Sequence, residues 1–530
     1  MRRPDAQLIS RARRGDIAAC LEAARKYLQG ANGFPRHVPL GLEYLQQAEA
    51  VRADDTQKLV VESLDLYEIA AHGRLATLQA AARAGRSTAQ LKLAIWLSLT
   101  AVDADEGMPW FRSAAAGGDA TARKVLTSYS PEDLSEGRVI SRLRVLKALP
   151  GIGWTDLLTF AMDRALMRGE PHVLFRALAL GLESDAAPEP VLADKVLEAL
   201  NYTSTLAPIP ISVDRRAIEV LLDDCVARGS GSAALMLGHA LSGHDVGSLR
   251  WESLVGGLNF RKASALLMRA ADGGHLEAWT RLYEIHSNHN GSVANPPMAR
   301  FCLEKAAAHG AVVAQRRLGA TILRASGSLR DVEQGMHWLF EAAQAGDDLA
   351  HRLLCTFVLP VDGRDVDAGQ ALEAIAQANP GLALRLEVAR HFGLTKLEAM
   401  TVDLVGAHRP WGLLVGRNPF IRHAKLSAPR AVPAISDVVQ ESLRRVVAQV
   451  AGGGVRGAEF QDFDLRHRMV RVKQVLQAYG LAESMFFARA RSSDLDALRG
   501  GGRWARLAKV ELDEALALPD GGTEASQGAN

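Results

Sequence analysis

The chain has 530 residues, 62 Lys/Arg against 60 Asp/Glu, and a formal net charge of +2. So even a balance gives no electrostatic reason for a nucleic-acid or acidic-membrane partner. No stretch approaches the roughly 20 apolar residues that a membrane-spanning helix needs. The four cysteines, Cys20, Cys225, Cys302 and Cys355, stand far apart without a CxxC pair, which fits buried thiols better than a disulfide framework.

The N-terminus, MRRPDAQLISRARRGD, is basic but lacks the apolar run of a secretory signal, so the chain reads as cytoplasmic. A glycine-centred frame then recurs along the sequence. It is faint around Gly15-Asp16 and clearer in AARAGRSTA (81–89) and EGMPWFRSAAAGGDATA (106–122), and it returns around Gly229 with Ala233. Residues 126–215 break it: SPEDLSEG (130–137) reads as a polar helix start, 147–200 as helix without a clear repeat. LNYTSTLAPIPISVDRR (200–216) reads as a connector, because prolines and β-branched residues oppose a regular helix.

Three segments then align without gaps: 261–278, 297–314 and 332–350. Ala270-Ala271, Ala306-Ala307 and Ala342-Ala343 coincide, and Gly274, Gly310 and Gly346 follow at a spacing of 36. Ala278, Ala314 and Ala350 lie four residues after these glycines, and Ala263, Ala299 and Gly335 eleven residues before them. Glycine ends a helix readily in the left-handed conformation. An aspartate after it (Asp16, Asp119, Asp347) suits the next helix start, and small residues at fixed offsets let antiparallel helices approach. Trp110, Leu266, Cys302 and Trp338 share one equivalent position and are expected to fill the space between repeats.

This frame resembles the Sel1-like repeat family, relatives of the tetratricopeptide repeats. Leu318-Gly319 and Leu237-Gly238 match the family's Leu-Gly element, and Leu282-Tyr283 matches it in part. Asp331 with Gly335 and Trp338, and Asp103 with Gly107 and Trp110, match its second half. The resemblance is closest over 226–357, looser over 81–125 and faintest over 15–50. The loops from Gly243 to Asn259 and from Asn288 to Pro297 exceed the family's tight turn. It implies an α-solenoid whose concave surface binds proteins.

From about 385 the pattern changes. EVARHFGLTKLEAMTVDL (387–404) reads as two short helices about Gly393, with Thr395 and Glu398 as a capping box. The same spacing fits a helix-turn-helix, although Lys396 is the only long donor on the would-be recognition helix. Residues 409–433 are proline-punctuated, with a candidate strand at Trp411–Val415. Residues 435–450 form an amphipathic helix starting near Ser436 or Asp437, AGGGVRG (451–457) a linker, 462–478 a helix, and the tail past Leu518 is expected to be disordered. Eleven Lys/Arg and five Asp/Glu fall within 413–475. Arg417, Arg422, Lys425 and Arg430 form a candidate basic patch, and Arg466, Arg468, Arg471 and Lys473 share a helix. No Walker A, HExxH or GxSxG sequence occurs, and Gly452, Gly454 and Gly457 follow a helix where a dinucleotide fingerprint needs a strand. His286 and His289 have a metal-like spacing but no third ligand nearby. A histidine-based active site would need a deep pocket joining at least two of His391, His408, His423 and Asp403.

The sequence thus predicts an all-α protein. It comprises an N-terminal array (1–125), a helical connector (126–215), a Sel1-like array (216–384), a mostly helical C-terminal domain (385–518) and a tail (519–530). The expected role is that of a non-catalytic interaction scaffold without cofactor or metal, in a bacterial regulatory or assembly setting. Its protein partner would meet Trp279, Tyr283, Arg316 and Arg317. The alternative is a nucleic-acid-associated regulator using the basic C-terminal region.

Overall fold

The computed structural model describes residues 3–30, 33–128, 135–147, 153–183, 190–206, 211, 213–289, 291–416, 421, 428–452 and 465–517. The expected tail, the 451–457 linker beyond Gly452, and Arg417, Arg422, His423 and Lys425 lie outside them. The chain divides into two compact units, 1–266 and 267–530.

The first unit holds α1 (Arg3–Arg13), α2 (Ile17–Gln29), α3 (Val38–Glu49), α4 (Ala53–Ser63), α5 (Leu66–Ala71), α6 (Leu75–Arg83), α7 (Ser87–Thr100), α8 (Met108–Ala116) and α9 (Ala120–Thr127). After these come α10 (Ser135–Lys147), α11 (Trp154–Arg168), α12 (Pro171–Leu182), α13 (Pro190–Ser204), α14 (Arg215–Ala227) and α15 (Gly231–Leu241). The repeating glycines mark the hairpins. Gly15, Gly85, Gly118 and Gly229 all have positive φ between one helix and the next. Asp16, Asp119 and Ser230 then cap the following helix, accepting from the backbone N–H of Ala19, Ala122 and Ala233. Each cap satisfies a donor that the first helical turn leaves unpaired. Buried side chains from Ile9 to Leu93 form one continuous core.

The unit boundary falls within α16 (Phe260–Asp272). The second unit continues with α17 (Glu277–Ser287), α18 (Pro296–Ala308), α19 (Val312–Ala325), α20 (Leu329–Gln344), α21 (Asp348–Cys355), α22 (Asp365–Ala378), α23 (Pro380–His391), α24 (Lys396–Thr401) and α25 (Leu404–Ala407). A three-stranded antiparallel sheet follows: β1 (His408–Arg409), β2 (Gly412–Val415) and β3 (Arg430–Pro433) in that order, with Leu413 opposite Val432. The last helices are α26 (Asp437–Ala451), α27 (Leu465–Ala478), α28 (Ser492–Ala497), α29 (Gly501–Leu507) and α30 (Lys509–Leu516).

The 36-residue frame is built as helix hairpins. Gly274, Gly310 and Gly346 have φ of 94°, 85° and 90° and stand in open space, so conformation alone requires glycine there. Crowding rules at the Leu-Gly element instead. A Cβ on Gly335 would lie 2.6 Å from Leu323 Cγ and 3.2 Å from the Gly319 carbonyl oxygen, and one on Gly319 would lie 2.9 Å from the Gly335 oxygen. These two glycines let α19 and α20 pack almost backbone to backbone. Gly335→Ala should therefore cost about 1–3 kcal/mol by overpacking, read as a fall in the urea midpoint. An unchanged midpoint would contradict the close approach.

Among the described residues, one core crosses residue 384. Leu323, Met336 and Leu353 share one core cluster with Phe392, Val446 and Trp504. The sheet was expected only as the strand around Trp411–Val415. Its partners are two and four residues long and carry no alternating pattern of their own.

Candidate functional site

The residues expected to meet a partner lie on α17 and α19. Trp279 is buried on α17, edge-on to Phe301 with ring centroids 5.8 Å apart. One turn later, the Tyr283 ring lies 5.7 Å from the Arg317 guanidinium. Arg316 and Arg317 are not free surface groups: they are 8% and 1% exposed. Arg316 donates from Nε to the Ala515 carbonyl (3.1 Å) and from Nη1 to the Asp347 carboxylate (2.5 Å). Arg317 donates from Nη2 to the Ala517 carbonyl. Both acceptors close the C-terminal end of α30, where carbonyls have no helical partner and the dipole is negative.

The array face formed by α19 and α21 therefore already holds a helix, the chain's own. Trp504, Ala508, Leu512 and Ala515, each at most 3% exposed, form the buried stripe of α29 and α30. Trp504 stacks on Phe357 at 4.9 Å and donates its indole N–H to Thr356 Oγ1 at 2.9 Å. Arg352 pairs with Glu514 at 2.7 Å on the outside. Trp504, Ala508, Leu512 and Ala515 stand at helical spacing, a signal missed in the sequence. Their docking place carries no local signal, because nearly 200 residues separate them from α19.

Arg317 has an unusual environment. Burial pushes its pKa below the ordinary arginine value, and Tyr283 and Glu284 oppose that only through space. Among the described residues no carboxylate reaches ion-pairing distance of it, Glu284 being engaged by Arg281 at 2.8 Å. Its Nε is buried without a hydrogen-bond partner among the described residues. Burial likewise raises the Tyr283 hydroxyl above its ordinary range.

In the C-terminal region, the expected capping box is present: Thr395 Oγ1 accepts from the Glu398 N–H, and the Glu398 carboxylate accepts from the Thr395 N–H at 2.9 Å. Glu398 is also the partner of Arg430, at 2.8 and 3.1 Å, with both side chains buried. Arg430 is thus an internal tie between β3 and α24, and only its spacing in sequence associates it with a basic patch. The helix-turn-helix reading is corrected on similar grounds. α24 has six residues, of which Glu398, Ala399, Met400 and Thr401 are buried, and Lys396 is paired with Glu483 at 2.6 Å. Such a helix has no free face to lay in a groove. On α27, Arg468 donates to the Met400 carbonyl and Arg471 to Asn379, while Arg466 and Lys473 are exposed.

A cleft of about 510 Å³ opens between α22, α23 and α26, lined by Asp365, Leu372, Glu387, Arg390, His391 and Arg445 among others. It contains His391 but neither His408 nor Asp403. Arg390 is saturated by Asp365 and by the carbonyls of Asp362, Gly363 and Met485. Glu387 is held by Ser442 at 2.6 Å and by Arg445. That arrangement ties α23 to the segment 362–365 and to α26. His286, of the suspected metal spacing, pins its loop through Nδ1 to the Val293 carbonyl at 2.9 Å. Cys20, Cys225 and Cys302 are buried thiols, and Cys355 is half-buried.

Among the described residues His391 Nδ1 is buried without a partner, and burial lowers the imidazole pKa despite the nearby Glu387 and Asp365. A folded-state value below the unfolded one means that the unfolded chain binds the extra proton. The contribution is complete above the ordinary value of 6.5 and is lost as pH falls through the lowered folded value. His391→Leu should flatten the acid limb of a stability–pH curve below the ordinary histidine value of 6.5. An identical slope in both proteins would remove His391 from that account.

No protein-family model matches the sequence, and a comparison with curated proteins finds no match. Among solved structures, the chain is similar to a protective antigen of uropathogenic Escherichia coli described as displaying an SLR fold. The match has 19% identity, spans 65% of this chain and 73% of that one, and gives a TM-score of 0.29. It is also similar to a Sel1 repeat protein from Oxalobacter formigenes, with 18% identity, 66% and 89% coverage and a TM-score of 0.22. The fold is an array of helix hairpins set on the 36-residue glycine frame, with one small antiparallel sheet. Among the described residues, no helix is long and apolar enough to cross a membrane.

Proposed function

We propose that this Sel1-like repeat protein is a non-catalytic, cytoplasmic scaffold that holds other proteins on the α17–α19–α21 face, in a bacterial regulatory or assembly role. One observation carries the reading: that face already binds a helix, through Arg316, Arg317 and the apolar stripe from Trp504 to Ala515. A rigid frame presenting preordered side chains binds with little ordering cost. Among the described residues, the nucleic-acid alternative has less support: Arg430 and Arg468 are engaged inside the protein, and Lys396 is paired with Glu483.

The test is a nuclease-treated capture from the native cell, identified by mass spectrometry, with full-length protein and with an Arg316→Ala/Arg317→Ala variant. Truncation at 384 is avoided because the core continues past it. Retention of a defined protein set by the wild type, and its loss with the variant, is the expected result. Capture that vanishes with nuclease, or that is indifferent to both substitutions, would sink the reading.

A further inference from the structure

The interior offers Arg317 less than its charge calls for. Arg317 is 1% exposed, and its guanidinium rests on the Tyr283 ring; among the described residues it donates to one neutral carbonyl, that of Ala517, and its Nε has no acceptor. Arg316 beside it is satisfied differently, by a carboxylate and a carbonyl. A carboxylate would add an opposite charge and a bidentate match to the planar guanidinium, neither of which a single backbone carbonyl supplies. The chain's own helix is therefore an imperfect ligand for the seat it occupies. It is also a short one: α30 has eight residues and leaves Val510 67% exposed, and a helix of this length does not persist in water without its docking contacts.

The seat does not merely seal the end of the array. α30 packs against α19 and α21, whereas α18 and α20 already flank α19 in the repeat order. The segment thus covers a lateral face, the one from which a stacked array presents side chains.

We propose that the Arg316–Arg317 seat is a receptor for the C-terminal end of a helix that carries a carboxylate. α30 fills it in cis, and a protein partner displaces α30 by placing that carboxylate on Arg317. The partner is a helix with an apolar stripe spaced like Ala508, Leu512 and Ala515, ending in an acidic side chain or a chain terminus. The proposal rests on the scaffold reading above and names the chemistry of its ligand. Tethering gives α30 a high effective concentration, so exchange depends on the partner's stronger contact with Arg317.

The probe is a labelled peptide with the sequence of residues 505–517, made once with a free C-terminal carboxylate and once as the amide. It is titrated by fluorescence anisotropy into the full-length protein carrying Leu512→Ala and Glu514→Ala, which loosen α30 alone. Hydrogen exchange of 509–516 verifies the release. The acid-ended peptide is expected to bind at least tenfold more tightly than the amide. Arg317→Ala should abolish the difference, and wild type should bind both peptides more weakly. Equal affinity of the two peptides, no binding to a chain whose α30 is shown to be released, or a concentration-dependent dimer that excludes the peptide would each overturn the proposal. Should the double substitution unfold the protein, Glu514→Lys alone provides the loosened state. If the peptides fail while the captured protein set still depends on Arg316 and Arg317, only the carboxylate chemistry is wrong. If capture fails as well, the scaffold reading goes with it.

Discussion

Replacing Arg430 with methionine should destabilise the protein by about 3–5 kcal/mol, because it strands a buried carboxylate. Glu398 and Arg430 have side-chain exposures of 3% and 1% and meet through two hydrogen bonds. Arg430 also donates to the carbonyls of Phe357 and Gly393, joining β3 to the segments before α22 and α24. Burial would raise the Glu398 pKa, but the bonds from Arg430 and from Thr395 outweigh it and hold the carboxylate below its ordinary value of 4.5. With the folded value depressed, the stabilisation is present above 4.5 and is lost as pH falls through the lower folded value. The check is a urea titration at pH 7 of Arg430→Met, Glu398→Gln and the double variant. The double variant should recover part of the loss, since removing both charges relieves the stranded one. A loss below 1 kcal/mol for the arginine variant would show that water reaches Glu398.

The second large effect is expected at Trp504. Trp504→Ala removes a side chain with no exposed surface, its stack on Phe357 and its bond to Thr356. Truncations of this kind cost about 3–5 kcal/mol. Because α28, α29 and α30 are six, seven and eight residues long, they cannot remain helical undocked. The loss should therefore appear first as local release, with amides over 501–516 exchanging rapidly while those of α19 and α20 stay protected. Uniform acceleration across residues 267–517 would instead make the segment part of one cooperative unit. That outcome would leave no low-cost displacement of α30 for a partner to exploit.

Much of the fold was legible in the sequence. The glycine frame located the hairpin turns because positive φ is a property of single residues, and Gly274, Gly310 and Gly346 report it directly. The alternation of caps and small residues fixed the helix starts at Asp16, Asp119, Asp347 and Thr395. The faint copies near Gly15 and Gly229 proved as regular as the strong ones, since turn chemistry survives where the larger residues of the motif do not. β1 and β3 were not legible: sheet pairing joins residues whose local sequence carries no record of it.

The candidate site divides in the same way. The sequence placed Tyr283, Arg316 and Arg317 on neighbouring array helices, a consequence of helical period and repeat spacing alone. It could not show that Ala515 and Ala517 return to them across nearly 200 residues, nor that Arg430 turns inward to Glu398 and away from a basic surface. Local conformation, set by φ preferences, caps and apolar period, belongs to each short segment and was determined by the sequence by itself. Whether an arginine is a surface charge, an internal tie or a helix seat depends on which distant carbonyl or carboxylate arrives beside it. Only the tertiary structure decided that, because burial and hydrogen-bond partnership are properties of the packed chain.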